Sequence, residues 1–141
     1  MIFLSLYLCS SSIGGEYLQF DPNANLPDLI NIATEKAKSE RVPVLLFVGD
    51  DGCIGCKRLN LILDHHPAIN DIITNDLILV KAFRGGASET VLYLSKLPKL
   101  PAVPHFYVLD PNGKLILSQG TEEFEFGMGY DEIKLLAFFK N

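Results

Sequence analysis

The chain has 141 residues, 48% hydrophobic and 21% charged, which fits one globular domain with a core of its own rather than a disordered segment. A formal net charge of -5, with no run of lysines or arginines, opposes a phosphate backbone and makes nucleic acid a poor partner. No apolar stretch approaches the roughly 20 residues needed to cross a bilayer, so stable membrane insertion is not expected.

Residues 1–15, MIFLSLYLCSSSIGG, read as a signal-peptide remnant. Ile2 to Cys9 are apolar and small residues follow, with cleavage expected after Ser12 or Gly14, although the usual basic residues ahead of the apolar run are missing. This predicts a periplasmic or secreted protein; a retained first strand in a cytoplasmic protein is the alternative. Leu8 is too large for a lipid anchor on Cys9. Removal of the segment takes Cys9 with it, leaving Cys53 and Cys56 as the only cysteines of a domain spanning residues 16–141.

Tyr17 to Phe20 read as a short extended piece, and FDPNAN as a turn. Leu26, Leu29, Ile30, Ala33 and Ala37 recur at helical spacing, with Pro27 in the first turn and Pro43 as the stop. Val44 to Val48 form an unbroken apolar run too short for a helix, as in a parallel strand buried on both faces. A helix opens at the cysteines and runs to His65, His66 and Pro67, and a short helix follows around Ile69 and Ile72. Leu77 to Phe83 is a second strand. Beyond the RGGAS loop, a helix over Glu89 to Leu97 takes Ser88 as its N-cap. PKLPAVP, with three prolines, is irregular and leads into two strands joined by the Asp110-Pro111-Asn112-Gly113 turn. QGTEEFEFGMGY reads as a surface loop without assigned chemistry, and Tyr130 to Lys140 as a last helix with Ile133, Leu136 and Phe139 as its apolar stripe. The order predicts an α/β fold, a mixed central sheet flanked by helices on both faces, which suits the thioredoxin-like fold and other small α/β sandwiches alike.

The chemistry centres on CIGC. Cys53 falls where a buried strand ends and a helix begins, so unpaired backbone N–H groups and the positive end of the helix dipole favour its thiolate, the species that attacks a disulfide. Cys56, one turn on, is placed to resolve the mixed disulfide by closing an internal one. Two ordinary cysteines on a helix face are the plainer alternative.

With its Cys53-Ile54-Gly55-Cys56-Lys57-Arg58-Leu59 motif, the chain resembles the thioredoxin superfamily, most of all small exported thioredoxin-like proteins. It is also similar to the periplasmic thioredoxin-like domain of membrane thiol reductases. The resemblance covers about residues 17–141 and extends to ATEKAKSERVPVLLFVG and LPAVPHFYVLDPNG. It implies a thioredoxin-like fold, thiol-disulfide exchange, and a cis peptide at Val103-Pro104 lying against the cysteines. Pro101 is the competing proline, but Pro104 immediately precedes the strand. Val103 would then present its backbone to a substrate chain as an extended strand does.

The sequence departs from the family pattern in two places. Gly52 stands where related motifs have a tryptophan, and Phe47 where thioredoxins proper keep a buried carboxylate. Asp50 and Asp51 would oppose a thiolate at Cys53, while Lys57 and Arg58 would support one; a solvated rim is the bland reading of all four.

Two other readings compete with exchange. A copper or zinc site could use both thiolates and a histidine, His105 being the weak candidate; His65 lies roughly 13 Å along the helix from Cys56, too far to share an ion. A non-catalytic thioredoxin-fold module could use the groove at Val103 and Pro104 only to hold partners. The exchange reading needs no organic cofactor, because the dithiol carries the electrons. Its partners are protein disulfide or dithiol substrates and a thiol reductase or oxidase that restores the cysteines.

Overall fold

The computed structural model describes residues 20–141. The leader-like segment, Cys9 and the start of the extended piece at Tyr17 lie outside the described residues.

Helix α1 spans Leu26–Glu40. Its N-cap Asn25 accepts the Asp28 N–H through its side chain, and Leu26, Ile30, Ala33 and Ala37 form the buried stripe at spacings of three and four. The stop differs from the expectation: Arg41 takes a left-handed conformation (φ 59°, ψ 47°) and donates its N–H to the Ala37 carbonyl, ending the helix two residues before Pro43. The next elements are β1 (Val44–Gly49), α2 (Ile54–His65), α3 (Pro67–Asn75) and β2 (Ile78–Phe83), followed by α4 (Ser88–Ser95), β3 (His105–Leu109) and β4 (Leu115–Gly120).

The sheet order is β2-β1-β3-β4, with β1 parallel to β2 and antiparallel to β3, and β3 antiparallel to β4. Every residue of β1 is buried, so the strand has no polar face and reads as a continuous apolar run. Alternation divides it between two cores. Leu45 and Phe47, with Phe106, pack against Leu59 and Leu63 of α2, Ile69 of α3 and the last helix. Val44, Leu46 and Val48, with Tyr107 and Leu109, pack against α1 and Leu94 of α4. The β3–β4 turn closes as its residues require: Gly113 has φ 87°, and the Asp110 side chain accepts the N–H groups of Asn112 and Lys114.

Three expectations are corrected. Ser88 does not cap α4; it is the first helical residue, and Ala87 stands at the cap with its N–H donated to the Pro22 carbonyl at 3.0 Å. That backbone tie to the Asp21-Pro22 turn fixes the chain's entry angle, and the helix ends at Ser95, with Lys96 and Leu97 closing tighter bonds to Tyr93 and Leu94. QGTEEFEFGMGY is not irregular: after a 3-10 turn at Glu122–Phe124 it forms a small hairpin of β5 (Glu125–Phe126) and β6 (Gly129–Tyr130). The last helix, α5 (Glu132–Lys140), starts two residues later than expected, because Asp131 caps the N–H groups of Ile133 and Lys134. That start sets which face meets the core, and Leu135 and Phe139 are buried whereas Ile133 is 82% exposed.

Leu135→Ala should therefore lower stability by about 2–5 kcal/mol and Ile133→Ala by less than about 0.5 kcal/mol in urea unfolding; similar costs at the two sites would contradict the packing of α5.

Candidate active site

Strand β1 ends at Gly49, and the Asp50-Asp51-Gly52 turn carries the chain into α2. Cys53 is the N-cap of that helix: its backbone is extended (φ -93°, ψ 107°) and its Sγ accepts the N–H of Cys56 at 3.0 Å. One sulfur thus takes up an N–H that the first turn of a helix leaves without a carbonyl partner. Cys53 and Cys56 are joined as a disulfide, their Cα atoms 5.2 Å apart. The two differ in access: Cys53 is partly exposed, whereas Cys56 is fully buried among Phe20, Phe47 and Leu59.

The irregular segment before β3 supplies the facing wall. The Val103-Pro104 peptide is cis, and the Val103 carbonyl oxygen lies 3.7 Å from the Cys53 sulfur. Pro104 is buried, and its own carbonyl accepts the hydroxyl of the buried Thr121 at 2.9 Å. Tyr130, on β6, donates its hydroxyl to the Gly55 carbonyl at 3.3 Å. Burial pushes the Tyr130 phenol up, an effect opposed by the Thr121 hydroxyl, reinforced by Glu125 and opposed again by Arg58. Gly55 fits here because it lacks a side chain: a methyl group would meet the Tyr130 hydroxyl at 2.8 Å and the Pro104 ring at 3.4 Å. The family resemblance marked Pro104; nothing in the sequence marked Gly55, Thr121 or Tyr130, whose meeting depends on a hairpin with no periodic signal.

The four charges at the rim are not equivalent. Asp50 is paired with Arg84, whose guanidinium lies 2.9 Å from its carboxylate and whose N–H is donated to the Gly49 carbonyl. Asp51 and Lys57 are exposed, and the Arg58 guanidinium donates to the Met128 carbonyl. Sequence reasoning missed Arg84, which lies beyond β2 and reaches Asp50 only because β2 pairs in parallel with β1, Phe83 opposite Gly49.

Beneath the disulfide the floor is aromatic. The Phe47 ring meets Phe20 and Phe106 edge-on at 5.1 and 5.4 Å between centroids. Opposite Phe47 on β2 is Lys81, a half-buried lysine whose ammonium is pushed down by burial, with Asp64 opposing.

The histidines do not converge on the cysteines. Alternation along β3 puts His105 on the face of Tyr107 and Leu109, opposite Phe106 and the cysteines; its ring lies 4.6 Å from that of Tyr107, and its Nε2 is 2.8 Å from the Ser118 hydroxyl. His65 is exposed at the end of α2. His66 caps α3, its Nδ1 accepting the Ile69 N–H, and its Nε2 is 3.5 Å from Glu132. Among the described residues, no group of three or more His, Cys, Asp or Glu side chains could hold a metal ion.

A sequence profile described as Thioredoxin-like matches residues 27–111, from the first turn of α1 to the β3–β4 turn. The chain belongs to the thioredoxin-like family. No curated protein matches it. Among solved structures, it is similar to a disulphide isomerase from Xylella fastidiosa Temecula1, at 20% identity and a TM-score of 0.68, with 86% of this chain and 93% of that one covered. It is also similar to a thioredoxin from Thermus thermophilus, at 14% identity and a TM-score of 0.57, covering 78% of this chain and 80% of that one. The C-terminal domain of DsbD from Neisseria meningitidis, in its oxidised form, matches at 17% identity and a TM-score of 0.51, covering 84% and 96%. These likenesses establish the thioredoxin-like fold. No helix among the described residues is long and apolar enough to cross a membrane.

Burial pushes the His105 imidazole down, with the Glu122 carboxylate opposing. The folded protein thus favours the neutral ring, a contribution fully present above the ordinary pKa of about 6.5 and lost as pH falls below it, because the unfolded chain takes up the proton first. Melting temperature should accordingly fall more steeply between about pH 6.5 and 5.5 in the native protein than in His105→Gln. Parallel pH profiles for the two would contradict this.

Proposed function

We propose that this protein is a thiol-disulfide oxidoreductase that exchanges disulfides with protein substrates, with Cys53 as the attacking residue and Cys56 as the resolving one. The observation that carries the reading is the asymmetry of the pair. The partly exposed Cys53 sulfur accepts a backbone N–H at a helix start and faces the Val103 carbonyl, while Cys56 is closed off behind it.

In the reducing direction, the Cys53 thiolate attacks one sulfur of a substrate disulfide, forming a mixed disulfide and releasing the other sulfur as a thiolate. The Cys56 thiolate then attacks Cys53 Sγ. The Cys53–Cys56 disulfide forms, the mixed disulfide breaks, and the second substrate thiolate leaves. Two electrons pass from the dithiol to the substrate, and the two cysteine protons end on the released thiols. Run backwards, the same steps oxidise a substrate dithiol.

The N–H of Cys56 stabilises negative charge on Cys53 in either direction, and the helix dipole adds to it. Lys57, exposed one residue beyond Cys56, supplies a nearby positive charge, and Arg84 offsets the negative charge of Asp50. Val103 and Pro104 shape the groove in which a substrate segment lies extended beside Cys53. The electrons stay on sulfur throughout, so turnover requires a partner thiol reductase or oxidase and no organic cofactor. An exported location, periplasmic or secreted, accords with the apolar start of the chain.

With a protein disulfide as substrate, reduced Cys56→Ser should accumulate a mixed disulfide through Cys53, seen as a heavier band in non-reducing electrophoresis. Cys53→Ser should form none and lose exchange by at least about a thousandfold. Exchange surviving in Cys53→Ser, or trapping through Cys56, would defeat the assignment. In the reduced native protein, Cys53 should be alkylated well before Cys56, which mass mapping reads directly; equal labelling would contradict the burial of Cys56.

A further inference from the structure

The β5–β6 hairpin is too short to hold itself together, since even longer isolated hairpins are marginal in water. Two contacts pin it against the head of α2, Arg58 donating to the Met128 carbonyl and Tyr130 to the Gly55 carbonyl, while the Asp131 N–H, donated to the Phe124 carbonyl at 2.6 Å, closes its base. Between hairpin and helix lies an open cleft of about 360 Å³ whose wall includes Ile54, Gly55, Arg58, Glu125, Met128 and Tyr130.

The two apolar side chains on its lips do little for the fold. Ile54 is 64% exposed and Met128 82%, and neither belongs to either core. Ile54 immediately follows Cys53, so the cleft continues the surface on which the reactive sulfur sits. Arg58 and Glu125 contribute one charge of each sign, so the cleft has little basis for selecting a ligand by net charge. What remains is apolar surface at the lips and, at Gly55, Gly127 and Gly129, backbone that side chains can approach closely.

We infer that this cleft is a substrate subsite that takes an apolar side chain next to the reacting cysteine of an extended protein segment. The inference rests on the exchange reading above. Neighbouring residues of an extended chain lie about 3.8 Å apart at Cα, so a segment bonded through its cysteine to Cys53 passes beside Ile54 and projects an adjacent side chain towards Met128. A flexible, polarisable methionine lip suits apolar residues of different shapes. Phe126, 74% exposed, is not part of the subsite: it pairs opposite Gly129, and alternation turns it to the other face of the hairpin from Tyr130 and the cleft.

The test uses two short peptides, each with its single cysteine disulfide-linked to glutathione, one with leucine and the other with serine on both sides of that cysteine. The reduced protein should react with the leucine peptide about three- to tenfold faster, in second-order rate constant, than with the serine peptide. Met128→Ser and Ile54→Ser should each move that ratio towards one, while Met128→Leu, which keeps an apolar lip, and Phe126→Ser should retain it. Equal rates for the two peptides in the native protein would overturn the subsite alone, as would a preference that persists in both serine variants. A loss of preference in Phe126→Ser would overturn its placement on the α2 side of the hairpin. A native protein inert to both peptides would overturn the exchange reading itself.

Discussion

Strand β1 is buried along its whole length, and its last residue, Gly49, ends against the sulfur of Cys56: a methyl group there would lie 2.9 Å from that sulfur and 2.6 Å from the Phe20 ring. This contact sets the depth at which α2 begins. With Cys56 held inside, the helix presents its N-cap, Cys53, at the surface, and the Cys56 N–H of the first turn is donated to that one accessible sulfur. A larger residue at Gly49 would have to displace Cys56 or Phe20, and would disturb the cysteine pair before it touched any substrate.

The same close packing decides what the site lacks. An aromatic floor of Phe47, Phe20 and Phe106 excludes water from beneath the disulfide and offers no acceptor for a proton. Solvent reaches the pair on the Cys53 side, where the sulfur is partly exposed. Lys81, paired with Phe47 in the sheet and so on the same face, is drawn towards its neutral form by burial, with the Asp64 carboxylate opposing. At the rim, the Asp50 carboxylate is offset by Arg84, and Arg58 and Glu125 bring one charge of each sign to the cleft. The backbone of its own helix acts directly on Cys53, through the Cys56 N–H that its sulfur accepts.

Much of this was legible in the sequence where one signal dominated. The unbroken apolar run at Val44 to Val48, the helical spacing of Leu26, Ile30, Ala33 and Ala37, and the Asp110–Gly113 turn each specify an element through local chemistry, and together they give the mixed sheet. CIGC was placed between strand and helix for the same reason. What could not be read depends on contacts distant along the chain. Ser88 has the right chemistry for a cap, but a backbone bond from Ala87 to Pro22 sets the start of α4 instead. The stripe of α5 was misjudged because Leu135, Leu136, Phe138 and Phe139 allow several phases, and only the Asp131 cap selects one. The β5–β6 hairpin has strands of two residues, too short for periodicity, and it gains meaning only from Gly55 and Arg58 on another element. His105 next to Pro104 was the weak metal candidate, its side of the sheet undecided by sequence, and the pleat of β3 turns it to the far face from the cysteines.

The central claim, that Cys53 and Cys56 form a redox couple able to exchange with other disulfides, is tested most directly by its reduction potential. The protein is equilibrated in glutathione and dithiothreitol buffers of graded potential, trapped, and its free thiols counted. The account predicts one two-electron transition between about -120 and -270 mV, the range spanned by exchange proteins with this spacing. A pair that never closes in oxidising buffer, or one that stays closed below about -300 mV as structural disulfides do, would contradict it.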